Sequence, residues 1–168
     1  ASMEEREAYL TIPVEKRLEI AKGNQEFMPE ELGVSLSKEQ IIELAKAEEF
    51  ILTISENGFG KRTSAYHYRI TNRGGSGIVN MVLSAKTGDV VASMPANMND
   101  EIMLITNNGK LIRCKLDSVR ITGRSTSGVI LFKTEKDERV VSASLIAEAS
   151  EGEAEVAGDT ESESGSED

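Results

Sequence analysis

Three arginine pairs recur at matched places in two stretches of this chain: Arg62 with Arg113, Arg69 with Arg120, and Arg73 with Arg124. Apolar and glycine positions can specify a fold without repeated cations, so the recurrence points to chemistry. Guanidinium groups set at regular intervals suit an anion of regular spacing, and a phosphodiester backbone is such an anion. In Leu111-Ile112-Arg113-Cys114-Lys115-Leu116 strand alternation puts Ile112, Cys114 and Leu116 on one face and Arg113 and Lys115 on the other. Arg62 should share that outward face. The candidate phosphate contacts are therefore Lys61, Arg62, Arg69, Arg73, Arg113, Lys115, Arg120 and Arg124, expected to form a curved basic stripe. Surface strands also carry Lys and Arg for solubility, but solubility does not require repetition.

Other chemistry is poorly supported. Thr71-Asn72-Arg73-Gly74-Gly75-Ser76-Gly77 has small residues that let backbone amides approach an anion beside one fixed cation, although a glycine-rich turn is more often only a turn. Gly58-Phe59-Gly60-Lys61-Arg62-Thr63 fails as a nucleotide phosphate loop, because the first glycine would fall at Ser55 and the hydroxyl position is Arg62. Ser76 and Ser127 are not in a G-x-S-x-G turn, and His67 is the single imidazole available as a base. With one cysteine, Cys114, and one histidine there can be no intrachain disulfide and no Cys/His zinc cluster. No catalytic or metal site is expected in this segment. Tyr66, His67 and Tyr68 could stack on bases, but alternating aromatics at a strand edge are more often packing.

The elements that must position the arginines are strands. Ile51–Ser55 is followed by Glu56-Asn57-Gly58, and Ile102–Thr106 by Asn107-Asn108-Gly109; Asn-Gly favours positive φ and marks a tight hairpin. Sliding residues 51–77 onto 102–128 without a gap gives 11 identities in 27 pairs. After a one-residue gap the register resumes with Val90-Val91 over Val140-Val141. A period near fifty made of short strands is the size of a propeller-type blade, and two such units belong to a larger ring. The expected organisation is a helical leader over 1–47, blades over 48–98 and 99–147, and a disordered acidic tail over 148–168. In the leader, one helix is expected around Pro13–Lys22 with Val14, Leu18 and Ala21 on its apolar face. A second, over about Lys38–Glu48, is announced by the Ser37/Gln40 capping box, and NQEFMPEELGV between them reads as loop.

Charge follows the same divisions. The formal net charge of -10 splits into -6 over residues 1–50, +5 over 51–147 and -9 over 148–168, so a mildly basic middle lies between two acidic ends. The composition, 39% hydrophobic and 29% charged, suits one or two soluble domains and leaves no apolar run long enough to span a membrane, so no membrane partner is expected. The opening ASMEEREAYL has no signal-peptide pattern and reads as a piece cut from a longer polypeptide in a reducing, cytoplasmic setting.

FILTISENGFGKRTSAYHYRITNRGGSGI and EIMLITNNGKLIRCKLDSVRITGRSTSGV resemble the last blades of the C-terminal domain of DNA gyrase A subunits, over about residues 48–146. The resemblance implies an all-β fold, a β-pinwheel of propeller-like blades whose basic rim bends and wraps double-stranded DNA. It also implies a parent complex that introduces negative supercoils using ATP and magnesium, with further blades, a breakage domain and the gyrase B subunit as partners, in the chromosome-associated cytoplasm. No cofactor is implied for this segment. The family's catalytic tyrosine lies in an Arg-Tyr-Thr context that none of Tyr9, Tyr66 or Tyr68 matches. The family's Gln-Arg-Arg-Gly-Gly-Lys-Gly box is not present either, and Arg73-Gly74-Gly75-Ser76-Gly77 is a partial echo of it. The leader resembles an insertion between blades. The alternatives are the corresponding domain of topoisomerase IV and a propeller that binds proteins.

Overall fold

The computed structural model describes residues 1–146, so the acidic tail expected over 148–168 lies outside the described residues. The leader folds as three helices, α1 (Met3–Leu10), α2 (Val14–Ala21) and α3 (Lys38–Ala47), with a 3-10 turn at Pro29–Leu32 inside the stretch read as loop. α1 goes beyond the two helices expected. Its sequence MEEREAYL has almost no apolar stripe and buries only Tyr9, but Ser2 and Glu5 form a reciprocal capping box at its start. That S-x-x-E spacing is the available signal.

The capping box at α3 forms as expected: Gln40 N donates to Ser37 Oγ at 3.2 Å and Ser37 N donates to Gln40 Oε1 at 2.9 Å. Ser37→Ala should cost about 1 kcal/mol in urea unfolding, because one orphan amide at the helix start loses its acceptor. The face of α2 departs from expectation. Arg17 and Ile20 turn inward, whereas Val14 and Leu18 are half-buried and Ala21 is exposed. The reason is polar: Arg17 pairs with Glu48, its Nε donates to Ile12 O at 3.1 Å, and Tyr9 Oη donates to the same Glu48 at 2.8 Å. Burial, and then the Glu48 charge, push the Tyr9 hydroxyl well above the usual phenol range. Around this group pack Ile12, Ile20, Phe27, Leu36, Ile41, Leu44 and Ala45, with Tyr66 from the first blade against them.

From Phe50 the chain is strand. β1 (Phe50–Ser55), β2 (Phe59–Ser64) and β3 (Val90–Pro95) form one unit, and β4 (Glu101–Thr106), β5 (Leu111–Lys115), β6 (Val129–Ile130) and β7 (Val140–Ile146) the next. The sheets run β3-β1-β2-β6 and β5-β4-β7, so the first sheet takes its fourth strand from the second repeat. The hairpins close with a three-residue loop, Glu56–Gly58, and a four-residue loop, Asn107–Lys110, in which the glycine alone takes positive φ, +76° at Gly58 and +79° at Gly109, while none of Asn57, Asn107 and Asn108 does. Each loop is then fastened to the strand that ends its repeat: Asp89 N donates to Glu56 Oε2, and Arg139 N donates to Asn107 Oδ1. Between the sheets, Leu52 and Ile54 pack with Ile102, Leu104, Leu116, Val119 and Val140 in a second core.

Candidate nucleic-acid interface

Strand exchange decides which of the eight candidate cations can meet a ligand. β2 lies between β1 and a segment of the second repeat, which first forms a parallel bridge, Arg62 with Ile121, and then pairs antiparallel as β6 over Phe59 and Gly60. All six β2 residues are consequently buried. Arg62, expected to face outward, is 3% exposed: its Nε donates to Val119 O at 2.8 Å and its guanidinium reaches Met98 Sδ. Lys61 is 0% exposed, and its ammonium donates to Gly123 O at 2.9 Å, to Arg124 O at 2.7 Å and to Thr126 Oγ1 at 3.3 Å. Burial, then the neighbouring Arg124 charge, bring the Lys61 pKa down to about 8. Both side chains are occupied in joining one repeat to the next, and neither faces a ligand surface. The outward reading of Arg62 and the inclusion of Lys61 are corrected accordingly.

The remaining six are at least partly accessible and fall in four places. Arg113 and Lys115 are exposed on β5, the edge strand of the second sheet, where the alternation read from the sequence holds. Arg113 pairs across the hairpin with Glu101. Arg73 stands in the exposed glycine-rich loop, in which Gly74 and Gly77 have positive φ. Arg69 and Arg124 line a cleft of about 680 Å³ together with His67 and α1. Arg120 is exposed after the 3-10 turn Leu116–Ser118, its carbonyl accepting from Arg62 N. Among the described residues none of Arg69, Arg73, Arg120 and Arg124 is in a salt bridge. Arg69, Arg73 and Arg120 are exposed and Arg124 is half-buried, and guanidinium groups outside ion pairs keep their attraction for an anion. With Lys61 and Arg62 buried, the eight do not all belong to one exposed stripe.

Sequence reasoning missed the exposed Lys86, Lys133, Lys136 and Arg139. The one-residue gap that restores the Val90/Val140 register also sets Lys86 over Lys136, a repeated cation that gapless sliding conceals. Lys86, Lys133 and Arg139 line a second depression at the hairpin-turn end of the sheets, mixed with Glu135, Asp137 and Glu138. The aromatic cluster is packing: Tyr66 meets Tyr9 edge to face at 5.7 Å and donates to Leu44 O, and Tyr68 bonds Asn80. Burial and then the charges of Arg17 and Arg124 lower the pKa of His67. Among the described residues no group of three His, Cys, Asp or Glu is arranged to hold a metal ion. No described helix is long and apolar enough to cross a membrane.

Comparison with known proteins agrees with the repeat and the blade fold. The family model described as DNA gyrase C-terminal domain, beta-propeller, matches residues 49–97 and 100–147, more than half of the chain. The DNA gyrase A subunit of Rickettsia prowazekii is 69% identical over 153 residues, covering 91% of this chain and 17% of that protein. The DNA gyrase A subunit of Granulibacter bethesdensis is 44% identical, covering 84% of this chain and 16% of that protein. The chain thus spans about a sixth of the length of these relatives. A solved DNA gyrase A C-terminal domain superposes with a TM-score of 0.55 at 28% identity, covering 60% of this chain and 34% of that one. The C-terminal domain of DNA topoisomerase IV has the same fold, with a TM-score of 0.53 at 21% identity. The leader lies outside the family match, yet the Rickettsia alignment is long enough to include most of it. Two matched repeats, a strand passed from one to the other and high identity to gyrase A sequences make this chain a member of the DNA gyrase C-terminal domain family.

Proposed function

We propose that the chain is a DNA-binding and DNA-wrapping module of DNA gyrase, part of its A subunit and without catalytic residues of its own. The observation that carries this is a set of guanidinium groups free of salt bridges among the described residues, the exposed Arg69, Arg73 and Arg120 and the half-buried Arg124, on blades otherwise closed by buried clamps. Such contacts position a duplex without reading its sequence. Wrapping then serves a parent complex that passes one duplex through another using ATP and magnesium, with further blades, a breakage domain and the gyrase B subunit as partners in the cytoplasm. Membership of the gyrase family supports this reading over topoisomerase IV.

The test is binding to two duplexes of unrelated sequence between about 50 and 200 mM salt. Equal affinities that fall steeply with salt are expected. Binding to neither duplex, with retention of an acidic protein instead, would favour a protein-binding propeller.

The tail enters as a competitor. Residues 148–168 carry nine carboxylates tethered to a region of net charge +5, and tethering gives them a high effective concentration against the same cations. Truncation after Ala147 should tighten duplex binding at low salt and change it little at high salt, where both contacts are screened. Equal affinities of the two chains at low salt would leave the tail a solubility role only.

A further inference from the structure

The leader is acidic as a whole, but its cations are not equivalent. Arg17 is consumed by Glu48 and Lys16 is paired with Glu19. Arg6, in contrast, lines the cleft shared with Arg69 and Arg124, donates to Ala1 O at 3.2 Å, and is in no salt bridge among the described residues. Three arginines from segments far apart in sequence therefore line one opening, against a single lining carboxylate, Glu7. Bringing like charges together is unfavourable unless an anion compensates them, and the planar fork of arginine matches phosphate oxygens.

The arrangement is held from both sides. Tyr66 stacks edge to face on Tyr9 with centroids 5.7 Å apart, and its hydroxyl donates to Leu44 O at 2.9 Å, which fixes α1 and α3 against the 3-10 turn Ala65–His67. Arg124 is oriented by donating to Val79 O at 3.0 Å. The leader is thus held beside the blade surface with Arg6 on the cleft, so that the helix that carries it needs no ordering on binding.

We propose that this cleft is a phosphodiester-binding site, in which Arg6 of the leader joins Arg69 and Arg124 on the backbone of the bound duplex. The proposal rests on the DNA-binding reading and gives the leader, which lies outside the family match, a part in it. A duplex that follows the blade cations would cross α1 here, and Glu7 would oppose it.

The test uses the chain of residues 1–168 and one duplex of arbitrary sequence, with Arg6→Gln, Glu7→Gln and Lys22→Gln compared with the parent. Lys22 is exposed in the leader and does not line the cleft. Arg6→Gln should weaken binding several-fold at low salt and reduce the salt slope by about 1. Glu7→Gln should tighten it, and Lys22→Gln should leave it near the parent value, with thermal unfolding alike in all three. Parent-like binding by Arg6→Gln, or equal losses for Arg6→Gln and Lys22→Gln, would overturn the site while leaving blade binding intact. Failure of the parent chain to bind any duplex would instead overturn the reading beneath it.

Discussion

Arg62→Ala should lower the stability of the chain by about 3 kcal/mol, whereas Arg113→Ala, at the matched position of the second repeat, should change it by less than about 1 kcal/mol. Arg62 is 3% exposed and its Nε supplies Val119 O with a 2.8 Å hydrogen bond. Truncation leaves that buried carbonyl unsatisfied and a void beside Met98, and these two costs add. The Arg113 side chain is 65% exposed and paired with Glu101 at the surface, an arrangement of small net worth. Urea unfolding of both variants reads the difference. Equal shifts would mean that Arg62 does not join the repeats as its contacts indicate.

Gly58→Ala should cost about 3 kcal/mol or more, and Gly109→Ala about 1 kcal/mol. Both glycines hold positive φ, so both variants carry backbone strain. Only Gly58 adds a collision, because a Cβ there would lie 2.0 Å from Phe132 O, while a Cβ at Gly109 would meet open space out to 4 Å. Backbone cannot step aside as a flexible side chain can. The Gly58 variant should therefore separate the repeats as well as strain the turn, and show a lower unfolding midpoint than its counterpart. Midpoints shifted alike would place the whole cost in the turn.

These contrasts explain what can be read from the sequence. The repeat, both hairpins, the α3 capping box and the alternation of β5 depend on neighbours within a few residues, or on a copy of the same pattern, and all are legible. α1 escapes a search for periodicity because its apolar face is a single tyrosine, although Ser2 and Glu5 mark its start. The inward turn of Arg17 needs Glu48, 31 residues away. Lys61 and Arg62 depart from expectation for a related reason. Repetition of a cation suggests a ligand, but a position also repeats when every blade makes the same contact with the next one. Arg62 makes that contact and Arg113, on the edge strand, has no following unit among the described residues. Local alternation cannot reveal a partner strand that arrives from some seventy residues downstream.

The salt dependence of duplex binding by Arg73→Gln and Arg120→Gln tests most directly the division between clamping and ligand-facing arginines. Both side chains are exposed and outside any described salt bridge, so neither variant should alter thermal unfolding. If they contact phosphates, each should lower the slope of log K against log salt by about 1 and weaken unrelated duplexes alike. A slope unchanged from the parent chain in both variants would contradict a DNA-binding surface built from the exposed arginines.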